Sequence, residues 1–515
     1  MSRTVATREA GDVPKAPPDL RLGSAALGAW AGALLGGLLA PAVCWPIAGC
    51  WLAVAVWARR TAVIATGLVL LAAGLFVASL DRASLARGPV ADLARKESAA
   101  QVELTVSGDP QALPPVAHLP PEIELKARLR VLESDGRRWK ADLPVLVLAP
   151  ASSWRTLLPS TRVSAAVALH LAEGNDVAAV LVAHRAPVMI RGPSLSQRWA
   201  GRIRTGLQRA AARLPRSERG LLPGLVVGDT SQMPAADTAD FRRAGLTHLT
   251  AVSGANLAVV VAAVFWLLRW TPLSVRMRAL VTAAALVGFA VLARPTPSVL
   301  RAACMGLLAL AAIGLGRPRA LLPALFGTLT GLVLFEPTLA QSPGFALSVL
   351  ATLALLVLAP GWTAALRERL PSRLAPLAPA IATPLAAQVA CLPVIAAISG
   401  TVSLAAVPAN LLALPAVPFT TVLGLLASIV SLVSPGIAGV LCTIAGVGCH
   451  WLIFVTRTAA RLPLATVTAP SGPLGLAVVT LVTAALVAAV RSRSGRRTLL
   501  FTALILAAAR LAGRR

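Results

Sequence analysis

The chain runs to 515 residues, 57% of them hydrophobic and 13% charged, with a mean hydropathy of +0.76. That composition excludes a set of soluble domains and points to a polytopic α-helical membrane protein. The net charge of +27 comes from 48 basic and 21 acidic residues, and beyond Asp240 the only carboxylates are Glu336 and Glu368. A membrane region so poor in negative charge tolerates a polyanion far better than a cation.

Residues 1–23 stay polar for too long to open a signal peptide and read as a cytoplasmic tail. N-terminal transmembrane helices are expected over 24–80, from apolar runs at 24–40, 42–58 and 61–80. Runs such as ATGLVLLAAGLFVASL (65–80) approach the roughly 20 apolar residues a bilayer demands, and lipid offers unpaired peptide groups no partner, so these runs must be helical. Arg3, Arg8, Lys15 and Arg21 mark the tail as cytoplasmic, and Arg59 and Arg60 do the same for the second loop. The chain beyond residue 81 is then expected outside. All six cysteines (44, 50, 304, 391, 442 and 449) lie in apolar segments and read as buried structural thiols.

Residues 95–191 change character. In PEIELKARLRVLES, Ile123, Leu125, Ala127, Leu129 and Val131 alternate with Glu122, Glu124, Lys126, Arg128 and Arg130, the period of a half-buried strand. Similar runs near 101–107, 138–149, 161–171 and 177–190 predict five short strands in a small extracytoplasmic β-barrel, OB-like in size. OB barrels often bind single strands through a basic groove with stacking aromatics. Between 96 and 191 there are eleven basic and ten acidic residues, and Trp139 and Trp154 are the only aromatics. A structural barrel and a nucleic-acid surface therefore both stay open. Residues 194–215 place Trp199, Ile203, Leu207 and Ala210 on one side and Arg198, Arg202, Arg204, Arg209 and Arg213 on others, as in an amphipathic helix lying at the membrane interface.

A second membrane block occupies 217–515. Spans are predicted near 253–270, 279–293, 298–316, 320–335, 344–360, 377–398, 415–434, 437–455, 473–490 and 498–511. Arg269, Arg276 and Arg278, then Arg317 and Arg319, then Arg367, Arg369 and Arg373, fall where alternate loops should face the cytoplasm. Between 399 and 415 the pattern frays around Pro408, Asn410 and Pro415, which predicts a broken or re-entrant helix.

Four stretches of this block put polar groups where lipid should be. They carry Asp229, Arg242, Arg243, His248, Ser253 and Asn256; then Arg294, Ser298 and Arg301; then Gln341, Ser342 and Ser348; then Gln388 and Asn410. Arg301 lies four residues into an apolar helix, where a charge costs several kcal/mol unless it faces a partner or water. An ion pair, a hydrogen bond to a broken-helix carbonyl and a place on an anion pathway would each account for it.

GDTSQMPAADTADFRRAGLTHLTAVSGANLAVV, PTPSVLRAACMGLLAL, GFALSVLATLALL and the series Gln388, Pro393, Ala409-Asn410-Leu411 and Pro415 resemble, in this order, the signatures of the ComEC/Rec2 competence proteins. The resemblance implies an OB-like extracytoplasmic domain followed by a channel that passes one strand of transforming DNA across the cytoplasmic membrane. Its implied partners are single-stranded DNA, membrane lipids, a separate DNA receptor, a cytoplasmic ATP-driven motor, single-strand-binding proteins and further copies of the chain. The family often has a histidine where this chain has Asn256, so a role resting on that imidazole does not transfer. Many members also carry a C-terminal metallo-β-lactamase-like domain; the sequence ends at RLAGRR, and its five histidines form no such metal signature, so the pore is expected without the nuclease. No metal or cofactor is expected, and no P-loop occurs.

Two other classes compete. An intramembrane serine protease would use Ser253 with His450, although His450, between Cys449 and Trp451, reads as a buried helix-packing histidine. A transporter or flippase of an anionic lipid or metabolite needs no intramembrane carboxylate and stays open.

Overall fold

The computed structural model describes residues 22–39, 41–57, 62–86, 88–113, 121–172, 177–315, 321–462 and 465–491. The expected tail and the last predicted span, 498–511, lie outside them. The chain opens with α1 (Gly23–Leu38), α2 (Pro41–Trp57) and α3 (Ala62–Ala86), followed by a short α4 (Pro89–Arg95). Gly28, Gly32 and Gly36 recur at four-residue spacing on α1, and a Cβ on any of them would collide with the α3 backbone at Gly67, Leu71 or Leu75. Small residues at this spacing let two membrane helices close on each other's backbone, which is how these two pack in the absence of a hydrophobic drive between them.

The sheet domain follows: β1 (Ala99–Val106), β2 (Gln111–Ala112), β3 (Glu122–Ser134), β4 (Arg137–Pro150), α5 (Ala151–Trp154), β5 (Arg162–His170), β6 (Val180–Val182) and β7 (Val188–Arg191). The strand expected at 177–190 is thus two. β1 pairs antiparallel with both β3 and β5, β3 pairs with β4, β4 runs parallel to β6, and β6 pairs with β5, so the pairings return to β1. The alternation seen in the sequence sets which side is buried: Ile123, Leu125, Ala127 and Leu129 of β3 face a core shared with Val102, Leu104, Val147, Val163 and Leu169. Trp154 is fully buried there, its indole N–H given to the Arg185 carbonyl at 3.0 Å. It is not available to stack on a base.

The remaining chain is α6 (Leu195–Ala210), α7 (Arg216–Val227), α8 (Ala235–Arg243), α9 (Gly254–Leu268), α10 (Val275–Ala293), α11 (Pro297–Gly314), α12 (Leu321–Phe335), α13 (Pro343–Val357), α14 (Ala359–Arg369), α15 (Ala378–Ser399), β8 (Thr401–Ser403), α16 (Ala406–Ala413), α17 (Ala416–Val430), α18 (Pro435–Ala460), β9 (Thr466–Thr468) and α19 (Gly472–Arg491). Among the described residues five helices, α3, α10, α11, α15 and α18, are long and apolar enough to cross a membrane; with two bent pairs there are up to seven such spans. The stretch predicted as one span over 344–360 breaks at Leu358, where α13 meets α14 at 49°. α16 and α17 meet at 50° around Pro415, the break the prolines predict. β8 and β9 pair across the neighbouring loops. Many apolar helices with outward-facing Leu, Val, Ile and Trp side chains make this a multi-pass membrane protein.

Two residues expected to be buried are exposed. Cys50 is exposed, because α2 turns that side away from the bundle. His450 is not buried: its side chain is 77% exposed and its Nδ1 lies 3.0 Å from Glu218.

Candidate functional site

The polar residues gather in three places. The first is a clasp between the sheet domain and the membrane helices. α10 must end before Pro295, whose ring disfavours helical backbone at Arg294, and Arg294 takes φ 70°, a conformation that side chains rarely adopt. Its guanidinium reaches Asp109, in the loop between β1 and β2, with Nε to Oδ2 at 2.8 Å and Nη2 to Oδ1 at 2.7 Å. Its Nη1 is bonded to Gln197. Arg204 of α6 turns inward to the same carboxylate at 3.1 Å, gives a hydrogen bond to the Leu292 carbonyl at 3.1 Å and another to that of Val227, and stands 3.9 Å from Asp229. Burial pulls the Arg204 guanidinium below its ordinary value, opposed by the two aspartates. Burial pushes the Asp229 carboxyl up, but Arg204 and hydrogen bonds from Ser231 and Gln208 outweigh it and hold Asp229 below the usual carboxylate range.

The second place is where α9, α11 and α13 meet. Thr296 caps α11 by accepting from the Val299 N–H, and Pro297 fixes its first turn. That start sets Ser298 and Arg301 on one face. Arg301 is 5% exposed. Its Nε and Nη2 both donate to Ser348 Oγ, at 2.9 and 2.6 Å, and its Nη1 meets the Met305 sulfur at 3.1 Å. Ser348, accepting twice, keeps its own O–H for Ser298 at 3.2 Å. Among the described residues Arg301 has neither a carboxylate nor a carbonyl partner. A Cβ built on Gly254 would lie 3.4 Å from its Nη2, so the guanidinium rests against the start of α9. That start has no side-chain cap. Ser253 instead gives its O–H to Asn256 Oδ1 at 3.3 Å, and Asn256, 3% exposed, donates to the Leu225 carbonyl at 2.8 Å. Leu225 belongs to the last turn of α7, whose carbonyls have lost their helical partners. No histidine hydrogen-bonds to Ser253 among the described residues.

The third place joins α8 to the broken helix. Gly245, at φ 70°, packs so closely that a Cβ would fall 2.6 Å from that of Ala406, and Ser403 Oγ donates to the Arg243 carbonyl at 2.8 Å. Arg242 and Arg243 are exposed. Arg243 has a loose ion pair with Asp240 at 3.6 Å, and Arg242 has no side-chain partner among the described residues. His248 is exposed, with its imidazole beside the Gly245 backbone and the Asn410 side chain. Asn410 also donates to the Ala406 carbonyl at 2.8 Å.

Of the residues singled out in the sequence, Asp229 and Arg294 thus meet in the clasp. Ser253, Asn256, Ser298 and Arg301 meet at the α9–α11–α13 junction, and Arg242, Arg243, His248 and Asn410 flank the α8–α16 contact. Gln388 joins none of them: it is half-buried on α15, with no hydrogen-bond partner among the described residues. Sequence reasoning missed Asp109, Gln197, Gln208 and Met305. It also placed Arg204 on a polar side of α6, where the structure buries it and exposes Trp199 instead. The one trace of Asp109 was its position in an SGDP turn.

Comparison with curated proteins and with solved structures gave no match. A family model described as "Competence protein" matches residues 225–494, just over half of the chain and all of α9 to α19. The matched region holds most of the α9–α11–α13 junction and of the α8–α16 contact, the same motifs that carry the resemblance to ComEC/Rec2 proteins. The chain therefore belongs to the competence protein family, with a role in DNA uptake.

Proposed function

We propose that the chain forms the path by which a single DNA strand crosses the cytoplasmic membrane, with the sheet domain on the outer side. The observation that carries this reading is Arg301. A strand bears a negative charge at every nucleotide, so its path needs fixed cations that are not already neutralised. Arg301 is buried, bonded among the described residues only to a hydroxyl and a thioether, and set against a helix start without a side-chain cap, an end whose N–H groups also favour an anion. A bare cation at membrane depth costs about 2.5–3.5 kcal/mol. Packing alone gives no reason to keep it there, whereas a passing phosphate does.

Two further observations support the arrangement. The ring of pairings through β1, β3, β4, β6 and β5, with β4 and β6 parallel, fits a closed OB-type barrel. The clasp holds that domain at the C-terminal end of α10, opposite the end that carries Arg276 and Arg278, and basic loops face the cytoplasm. In this reading Arg242 and Arg243 draw phosphate toward the junction, and the chain conducts the strand without cleaving it.

The test is DNA uptake into the cytoplasm of a deletion strain complemented with wild type or Arg301→Gln, at matched membrane abundance. Uptake is expected to be lost in the variant. Full uptake in the deletion strain itself would overturn the reading and bring transport of an anionic lipid or metabolite forward.

A further inference from the structure

Away from these three places, a cleft of about 700 Å³ opens between the start of α7 and the last turns of α18. Its lining carboxylate, Glu218, and its lining Arg457 are already paired. Glu218 faces His450 at 3.0 Å, and Asp237 of α8 meets Arg457 at 2.8 Å, which also donates to Ser217 at 2.8 Å. That leaves Arg216 and Arg461 on the cleft wall, both exposed, neither with a side-chain partner among the described residues. The rest of that α18 wall is largely apolar. Phe454 is 56% and Leu462 49% exposed, and the same face of α18 continues outward through Trp451, Val447 and Ile444.

α18 has 26 residues, so it extends about 39 Å at 1.5 Å per residue, against a hydrocarbon core about 30 Å thick. Its final turns, with Arg457 and Arg461, then reach the headgroup layer. Two unpaired guanidinium groups beside an apolar wall at that depth match one kind of molecule: a phosphate with acyl chains and no compensating cation.

We propose that this cleft binds the headgroup of an anionic phospholipid, its phosphate held by Arg216 and Arg461 and its acyl chains laid along the exposed face of α18. Because Arg457 ties Asp237 to the same wall, the bound headgroup braces α8, the helix that presents Arg242 and Arg243. The site does not depend on the chain conducting DNA.

The test uses the full chain, delipidated in a neutral detergent, with thermal midpoint read during titration by dioleoyl phosphatidylglycerol, dioleoyl phosphatidylcholine or inorganic phosphate. Phosphatidylglycerol alone is expected to raise the midpoint saturably. Arg216→Gln with Arg461→Gln should weaken the half-saturating concentration roughly 30-fold, from the usual worth of two basic residues at an anionic lipid surface. The paired lysine variants keep the charge and should retain most of the effect, which separates loss of binding from loss of fold. Equal shifts with phosphatidylcholine, an equal shift with inorganic phosphate, or an unchanged titration in a glutamine variant that folds normally would each overturn the proposal.

Discussion

Asn256 and Arg301 lie near the same helix start but respond differently to removal. Asn256 satisfies the buried Leu225 carbonyl, so Asn256→Ala leaves an acceptor unpaired and should cost about 1–3 kcal/mol. Asn256→Asp should cost more, because it sets a second acceptor against that carbonyl; thermal unfolding in detergent checks both. Arg301 carries a charge that no group among the described residues neutralises. Arg301→Met keeps the length and removes the cost of the buried cation, so its thermal midpoint should equal or exceed that of wild type while DNA uptake falls. A residue whose loss improves stability and abolishes transport is kept for transport. A fall in both would make Arg301 a packing residue that ties α11 to Ser348.

The clasp is where elements, rather than residues, are coupled. Asp109 sits between two largely buried arginines, and removing one member of a buried pair leaves the others uncompensated at a cost of about 3–5 kcal/mol. Asp109→Ala should therefore expose the junction between the sheet domain and α6 to limited proteolysis, and adding Arg294→Ala should cost much less than the sum of the single changes. Acid should act in the same direction. The Asp229 carboxyl is held below its ordinary value, so its contribution is complete above the unfolded pKa of about 3.9 and is lost as the pH falls through the lower folded value. Cleavage at the junction should rise only below about pH 4, and Asp229→Asn should flatten that rise. None of this was visible in the sequence, because Arg294 and Asp109 stand 185 positions apart and a single aspartate in a turn has no local signature. Local signals did carry through: the alternation at 122–131 lies within β3, and Pro408 and Pro415 mark the bent helix pair. The exposure of Cys50 and His450 and the burial of Arg204 could not be read, since they depend on which neighbour covers each helix face.

At the scale of the molecule, apolar composition made the membrane class legible, and the ordered motifs made the family legible. What neither could give is which cations stay free once the chain folds. Arg204 and Arg294 are neutralised by the clasp, while among the described residues Arg242 has no side-chain partner and Arg243 has only a 3.6 Å contact to Asp240 on an exposed surface, a pair worth little in water. Beside the α8–α16 contact these two are therefore able to exchange a counterion for a phosphate. Each phosphate neutralised on a single strand contributes about −0.7 to the slope of log affinity against log salt. Replacing both arginines by glutamine should make the slope for an oligothymidylate shallower by about 1.4, with no change in base preference, because contacts to phosphate carry no sequence information. Fluorescence anisotropy across a salt series on the detergent-solubilised protein gives the slope directly. An unchanged slope in the double variant would take α8 off the strand's path and leave Arg301 to be reached from another side of the junction.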